Sequence, residues 1–300
     1  MTEPRRVCLP PDPNPRPPGW TLPPGACDTH FHLFGPPDRF PYSPERRYEP
    51  PAAPLEHYMA MRALVGLSRG VIVLPTAHGT DNATVVDALA RSDGTLLGVC
   101  NFDDDTPDAE LDRLDAAGVR GARFSLMSDR AGAADLIDRA VKRMVRLGWS
   151  LDLHIEPERL LAHETFIRAL PLPVVIDHMA RVNPGDGLDQ PAFRLLLDLL
   201  GDDRFWVKVS CADKISGDPR AHPPDGRPWR DTVPFARAAI GVAPGRVLWG
   251  SDWPHGNTFV AGRIPNDGDL LDLLAEYAPD PEIRRRILVD NPARLYGFPT

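Results

Sequence analysis

Two histidines one residue apart, His30 and His32, close the apolar run ACDTHFH, and an aspartate, Asp252, closes another, VLWGSD, near the far end of the chain. Imidazole nitrogens and carboxylates are the groups that move protons near neutral pH, polarise a carbonyl or hold a divalent metal. Two more histidines sit in similar places, His154 near the end of SLDLHI and His178 at the end of VVIDH. Arg123, in VRGARFSL, adds a guanidinium able to grip a carboxylate at two points. A single strand histidine is more often a hydrogen-bonded packing residue than a site residue. An HxH pair, two further strand-end histidines and a strand-end aspartate read instead as one constellation.

Such residues converge only if their strands are parallel neighbours. Short apolar runs at 26–30, 71–75, 96–102, 119–125, 150–155, 174–178, 206–210 and 247–252 alternate with amphipathic stretches at 55–67, 81–92, 108–117, 133–147, 157–169 and 191–200. Eight βα units predict a closed (β/α)8 TIM-type barrel, whose active site lies at the C-terminal ends of the strands, where these polar residues fall. The joints agree: Asp81 or Asn82 is placed to cap the second helix, Gly118 and Gly148 to stop the third and fourth, and Pro157 to open the next. Alternation in WSLDLHIE sends Asp152 and His154 to one face, and in VRGARFSL it turns Arg123 inward. Two long insertions, 35–54 and 211–230, follow the first and seventh strands. The first carries Arg46, Arg47 and Tyr48 in a loop suited to closing over the site.

Three hundred residues suit one barrel (25–300) preceded by an arm (1–24) whose nine prolines favour extended structure. The formal charge of -8 argues against a nucleic-acid or anionic-membrane surface. No segment has the length and apolarity of a signal or a membrane span, and the four cysteines show no paired spacing, so a reduced, cytoplasmic protein is expected. His57, His163 and His222 read as surface residues, and Asp103–Asp105 as a solvated loop ahead of a cap at Thr106.

The segments ACDTHFHLFGP, FPYSPERRYEP, HGTDN, GVRGARF, DHMARV, KVSC and LWGSDWPH, followed by DNPARLYGF, resemble in the same order the 2-pyrone-4,6-dicarboxylate hydrolase-like family of the amidohydrolase superfamily. The resemblance implies a lactonase of aromatic catabolism that opens a small anionic lactone, of the 2-pyrone-4,6-dicarboxylate or muconolactone type, with no metal required. It makes Asp252 the general base for water, sets His30, His32 and His178 around the carbonyl oxygen, and gives substrate contacts to Arg123, Tyr48, Thr76 and His255, with Asn82 either a further contact or a helix cap. Three positions depart from the pattern. Asp129 stands where the family has an arginine, unless Arg130 serves; Lys214 replaces another arginine; and His154 replaces a tyrosine. The last leaves open a mononuclear zinc or manganese site at His30, His32, His154 and Asp252, serving a metal-assisted lactonase or a non-oxidative decarboxylase. Arg123, where a bridging ligand would stand, argues against two metals. A non-catalytic barrel that binds an organic acid is the third alternative.

Overall fold

The computed structural model describes residues 5–127, 133–218, 220, 226 and 228–298 of the chain. Among these residues, eight parallel strands form one sheet in chain order: β2 (Cys27–Phe31), β4 (Arg69–Val73), β5 (Leu96–Cys100), β6 (Val119–Leu126), β7 (Ser150–Ile155), β8 (Val174–Ile176), β9 (Phe205–Lys208) and β10 (Val247–Leu248). The two short strands β1 (Arg6–Val7) and β3 (Tyr48–Glu49) pair with each other. Runs such as RGVIV and VVI, stiff at χ1 and apolar on both faces, suit strands covered by side chains inside and helices outside.

The seam between β10 and β2 is closed by irregular backbone. Thr29 N–H donates to the Trp249 carbonyl (3.0 Å), Asp252 N–H to His30 (2.8 Å) and His32 N–H to Trp253 (2.7 Å). The eighth strand is therefore shorter than its apolar run predicts, two residues instead of six, and the remainder becomes the seam. Gly250 permits this approach, since a Cβ there would lie 2.5 Å from His30 Cβ. Buried Asp28 braces the same seam by accepting from Ser251 N–H (2.9 Å) and Ser251 Oγ (2.6 Å); burial pushes its carboxyl up to about 6.

Helices α1 (Leu55–Val65), α2 (Ala83–Ala90), α3 (Asp108–Ala117), α4 (Ala133–Leu147), α5 (Pro157–Ala162), α6 (Glu164–Ala169) and α7 (Pro191–Leu199) follow their strands. The single helix expected at 157–169 breaks at His163, whose φ of -106° and ψ of 15° leave the helical well. Gly118 stops α3 in the left-handed conformation. At α2, Asp81 Oδ1 accepts from Ala83 N–H (3.0 Å), whereas the Asn82 amide bonds the carbonyls of Thr80 and Asn101 (3.0 and 2.9 Å) and fastens this loop to the end of β5. The helices α8 (Ala212–Ile215), α9 (Val233–Val242), α10 (Asp267–Tyr277), α11 (Pro281–Arg285) and α12 (Asn291–Tyr296) complete the outer layer.

The proline-rich arm is fastened, not loose. Leu9 N–H reaches the Thr258 carbonyl (2.8 Å), Trp20 Nε1 the Leu271 carbonyl (3.1 Å), and the Arg16 guanidinium pairs with Asp269 and Asp272. No described helix is long and apolar enough to cross a membrane.

Candidate active site

A cavity of about 590 Å³ opens at the C-terminal ends of the strands. Of the residues singled out from sequence, His32, Tyr48, Thr76, Arg123, His154, His178, Lys214 and Asp252 line it. His30 lies beneath the floor, fully buried. His255 is absent from the wall: it is fully buried with Nε2 3.3 Å from Asp267, whose carboxylate raises its pKa against the effect of burial. Arg130, Asp129 and His222 lie outside the described residues.

Asp252 is the centre of the floor. Its backbone is left-handed (φ 61°), and Oδ1 faces Nε2 of His32 at 3.4 Å, of His30 at 3.6 Å and of His178 at 3.9 Å. Oδ2 points the other way, accepting from the Lys214 ammonium (2.5 Å) and the Cys211 thiol (3.0 Å). Burial alone would raise this carboxyl, but the Lys214 charge and His32 outweigh it and hold the group well below the usual carboxylate range.

Each histidine is held at its second nitrogen. His32 Nδ1 donates to the Val73 carbonyl (2.7 Å), which fixes the ring with Nε2 facing Asp252. His178 Nδ1 meets Ser210 Oγ (2.7 Å). Its position depends on a run of left-handed residues, His178 to Arg181, with φ between 50° and 54°; that conformation costs non-glycine residues about 1 kcal/mol or more each. The run turns the chain sharply after β8 and puts Arg181 on the cavity wall beside His178. Burial holds His178 and His154 well below the ordinary histidine pKa and His30 at about 3, so all three are neutral at pH 7.

Below the floor lies a buried polar layer. The Lys208 ammonium contacts the Asp152 carboxylate, Asp177 Oδ1 (3.1 Å) and His30 Nδ1 (3.0 Å), while Arg123 Nε donates to Asp177 Oδ2 (2.7 Å). Two carboxylates thus face two cations, and the layer closes near neutrality. Burial drives Asp152 up to about 6, still ionised at pH 7, while the Lys208 and Arg123 charges hold Asp177 well down despite its burial.

Asp177, Lys208, Ser210, Cys211 and Arg181 were not among the residues singled out from sequence. A signal existed for Lys208: in FWVK the residues Trp206 and Lys208 alternate inward, and a lysine inside a buried parallel strand demands partners. Among the described residues, two groups bring potential metal-ligand atoms within 4.8 Å of one another, His30 with His178 and Asp252, and His30 with Asp152 and Asp177. The tetrad His30, His32, His154 and Asp252 expected from sequence is not such a group; His154 contacts His178 edge-on, with ring centroids 6.0 Å apart.

Fold and site together define a class, a (β/α)8 barrel with its acid–base groups at strand ends beneath a cation-walled cavity. The amidohydrolase family model matches residues 27–298, and the chain belongs to that family, in the branch that resembles 2-pyrone-4,6-dicarboxylate hydrolase. The 4-sulfomuconolactone hydrolase of Hydrogenophaga intermedia is 41% identical over 97% of this chain and 94% of its own length. The 2-pyrone-4,6-dicarboxylate hydrolase of Comamonas testosteroni is 41% identical over 94% and 93%. A solved structure from Pseudomonas putida, described as a 2-pyrone-4,6-dicarboxylic acid hydrolase, superposes with a TM-score of 0.78 at 31% identity, covering 93% of this chain and 100% of that one.

Proposed function

We propose that this chain hydrolyses a lactone bearing an anionic group, with Asp252 as general base for water and with no resident metal required. The convergence of three imidazole Nε2 atoms on Asp252 Oδ1, under a cavity walled by Arg123, Arg181 and Lys214, carries the reading. The relatives named for hydrolysis of 4-sulfomuconolactone and 2-pyrone-4,6-dicarboxylate support it.

In this reading Asp252 takes a proton from water as the oxygen adds to the lactone carbonyl, a contribution of about 10²–10⁴-fold. The histidines surround the carbonyl oxygen as it gains charge, worth about 10²–10³-fold per good donor. The ring C–O bond then breaks, and the leaving oxygen recovers the proton held by Asp252. Arg123, Tyr48, Thr76, His154, Arg181 and Lys214 hold the substrate; the Tyr48 hydroxyl is already bonded to Thr76. Lys214 has a second effect: an arriving carboxylate competes with Asp252 for its ammonium, and the base strengthens as the substrate seats.

The donor groups suit a metal poorly. Both nitrogen-bearing clusters share His30, whose Nδ1 meets the Lys208 ammonium, and Asp252 already accepts from Lys214. A cation at either cluster would stand close to a fixed positive charge. All four cysteines are free and buried, the state a reducing compartment maintains, and we place the activity in the cytoplasm.

The test is ring opening of 2-pyrone-4,6-dicarboxylate and muconolactones by protein stripped of metal, with elemental analysis of the same sample. Undiminished opening is expected. Activity restored only by zinc or manganese would move the chemistry to a metal at His30, His178 and Asp252, and failure on every lactone would overturn the reading.

A further inference from the structure

One unpartnered buried atom at the site is Nε2 of His30. It is fully buried, has no hydrogen-bond partner among the described residues, and points toward Asp252 Oδ1 at 3.6 Å. What it can do depends on whether it carries the ring proton, and the other nitrogen decides that.

Two groups compete for Nδ1. Asp177 Oδ1 lies 3.4 Å away and would take a proton from it, leaving a lone pair at Nε2; this is how a carboxylate behind a histidine prepares it to bind a metal. The Lys208 ammonium lies nearer, at 3.0 Å, and has only protons to offer. A proton on Nδ1 would be pressed against that positive charge, two donors face to face between fully buried side chains. Lys208 donates in hydrogen-bond geometry to the Asp152 carboxylate and to His30 Nδ1, and Asp177 Oδ1 completes its surroundings as an ion pair at 3.1 Å. With Nδ1 as an acceptor, the ammonium meets acceptors only.

We infer that Lys208 is a positioning residue which fixes His30 as the Nε2–H tautomer, making it a hydrogen-bond donor to the reacting oxygen and unfit to bind a metal through Nε2. Lys208 never touches the substrate, being fully buried beneath the floor. Its side chain arises from β9 and His30 from β2, so it ties His30 to a strand on the other side of the seam. The inference rests on the lactonase reading for its catalytic meaning, but the tautomer itself does not.

The experiment is ¹⁵N NMR of the full-length protein labelled at histidine, where protonated and bare ring nitrogens differ widely in shift, with the His30 signals identified by their loss in His30→Gln. In the wild type Nε2 is expected to carry the proton; a proton on Nδ1 overturns the inference without reference to any variant or activity. Lys208→Met strands two buried carboxylates, so the informative variant is Asp152→Asn with Lys208→Met, which removes one charge of each sign. That pair is expected to release the tautomer, to lower kcat by about 10²-fold with little change in KM, and to raise the zinc retained after dialysis above that of the wild type. Wild-type tautomer and kcat persisting in the pair would also overturn the inference. If the wild type opens no lactone while Nε2 still carries the proton, the functional reading fails and this assignment stands.

Discussion

The two ends of the barrel interior solve the same packing problem in opposite ways. At the lower end the inward side chains are Cys27, Val71, Val73, Val99, Val175, Trp206 and Leu248, closed off by Tyr296 and Phe298 from the C-terminal segment. Toward the cavity come Asp152 of β7, Lys208 of β9, Asp177 just past β8 and His30 of β2, and then the cavity floor. Apolar contact at the lower end tolerates small shifts of side chains. The upper layer does not, because Asp152, Lys208, Asp177 and Arg123 compensate one another in a fixed chain of contacts, and removing any member leaves a neighbour buried short of its partner. The lower interior supplies stability and the upper interior supplies geometry.

Catalysis should break first at the top. Asp252→Asn is expected to lower kcat by about 10²–10⁴-fold while KM changes little, since loss of a general base acts on the chemical step. Steady-state kinetics with circular dichroism checks it; a parallel rise in KM or a loss of folded signal would show instead that Asp252 holds Lys214 and the seam together.

The two halves should also differ when each is damaged. Asp177→Asn leaves the Arg123 and Lys208 cations short of a carboxylate and is expected to destabilise the fold by about 3–5 kcal/mol and to impair turnover as well. Phe298→Ala is expected to cost about 3 kcal/mol of stability and to leave kcat and KM unchanged below its unfolding temperature. Denaturant titrations beside kinetics separate the cases. An Asp177→Asn protein with normal kinetics would dissolve the contrast between the two ends.

That contrast also explains what was legible in the sequence. Strands, helices and strand-end polar residues follow from periodicity, which is local, so all eight strands and the convergence of His30, His32, His178 and Asp252 could be read in advance. Pairing is not local. His255 looks like His30 in sequence, but only the fold turns it toward Asp267, and only the fold shows Lys214 bound to Asp252 or Lys208 between two carboxylates. The shortening of β10 was hidden for a related reason: VLWGSD keeps its apolar pattern while the backbone leaves the ladder to close the seam.

Acid should expose the upper layer. His30, His154 and His178 stay neutral in the folded chain, whereas an unfolded histidine gains a proton below about pH 6.5. The unfolded state then binds more protons, so these groups make stability fall as pH drops through that value. Asp28 has the opposite sign: raised to about 6, it holds a proton in the folded chain between about pH 6 and 4 that the unfolded chain lacks, and it offsets part of the loss. Asp28→Asn removes the offset. The fall in melting temperature from pH 7 to pH 5 is therefore expected to be larger in that variant than in the wild type; an equal fall would mean that Asp28 ionises normally in the fold, and a smaller one that its carboxyl is held below the free value.

The smallest effect should come from Ser210, where the upper layer is held by one uncharged contact. Its hydroxyl is the only hydrogen-bond partner found for His178 Nδ1 among the described residues, and the ring sits on a strained left-handed turn that does not by itself fix the side chain. Ser210→Ala removes one neutral hydrogen bond, so a stability loss of about 1 kcal/mol is expected. If that bond sets the angle at which Nε2 faces the reacting oxygen, kcat should fall by roughly 10-fold with KM unchanged. Ser210→Thr, which keeps the hydroxyl, should recover most of it. Equal losses in alanine and threonine would trace the effect to packing, and unchanged kcat in alanine would show that the turn alone orients His178.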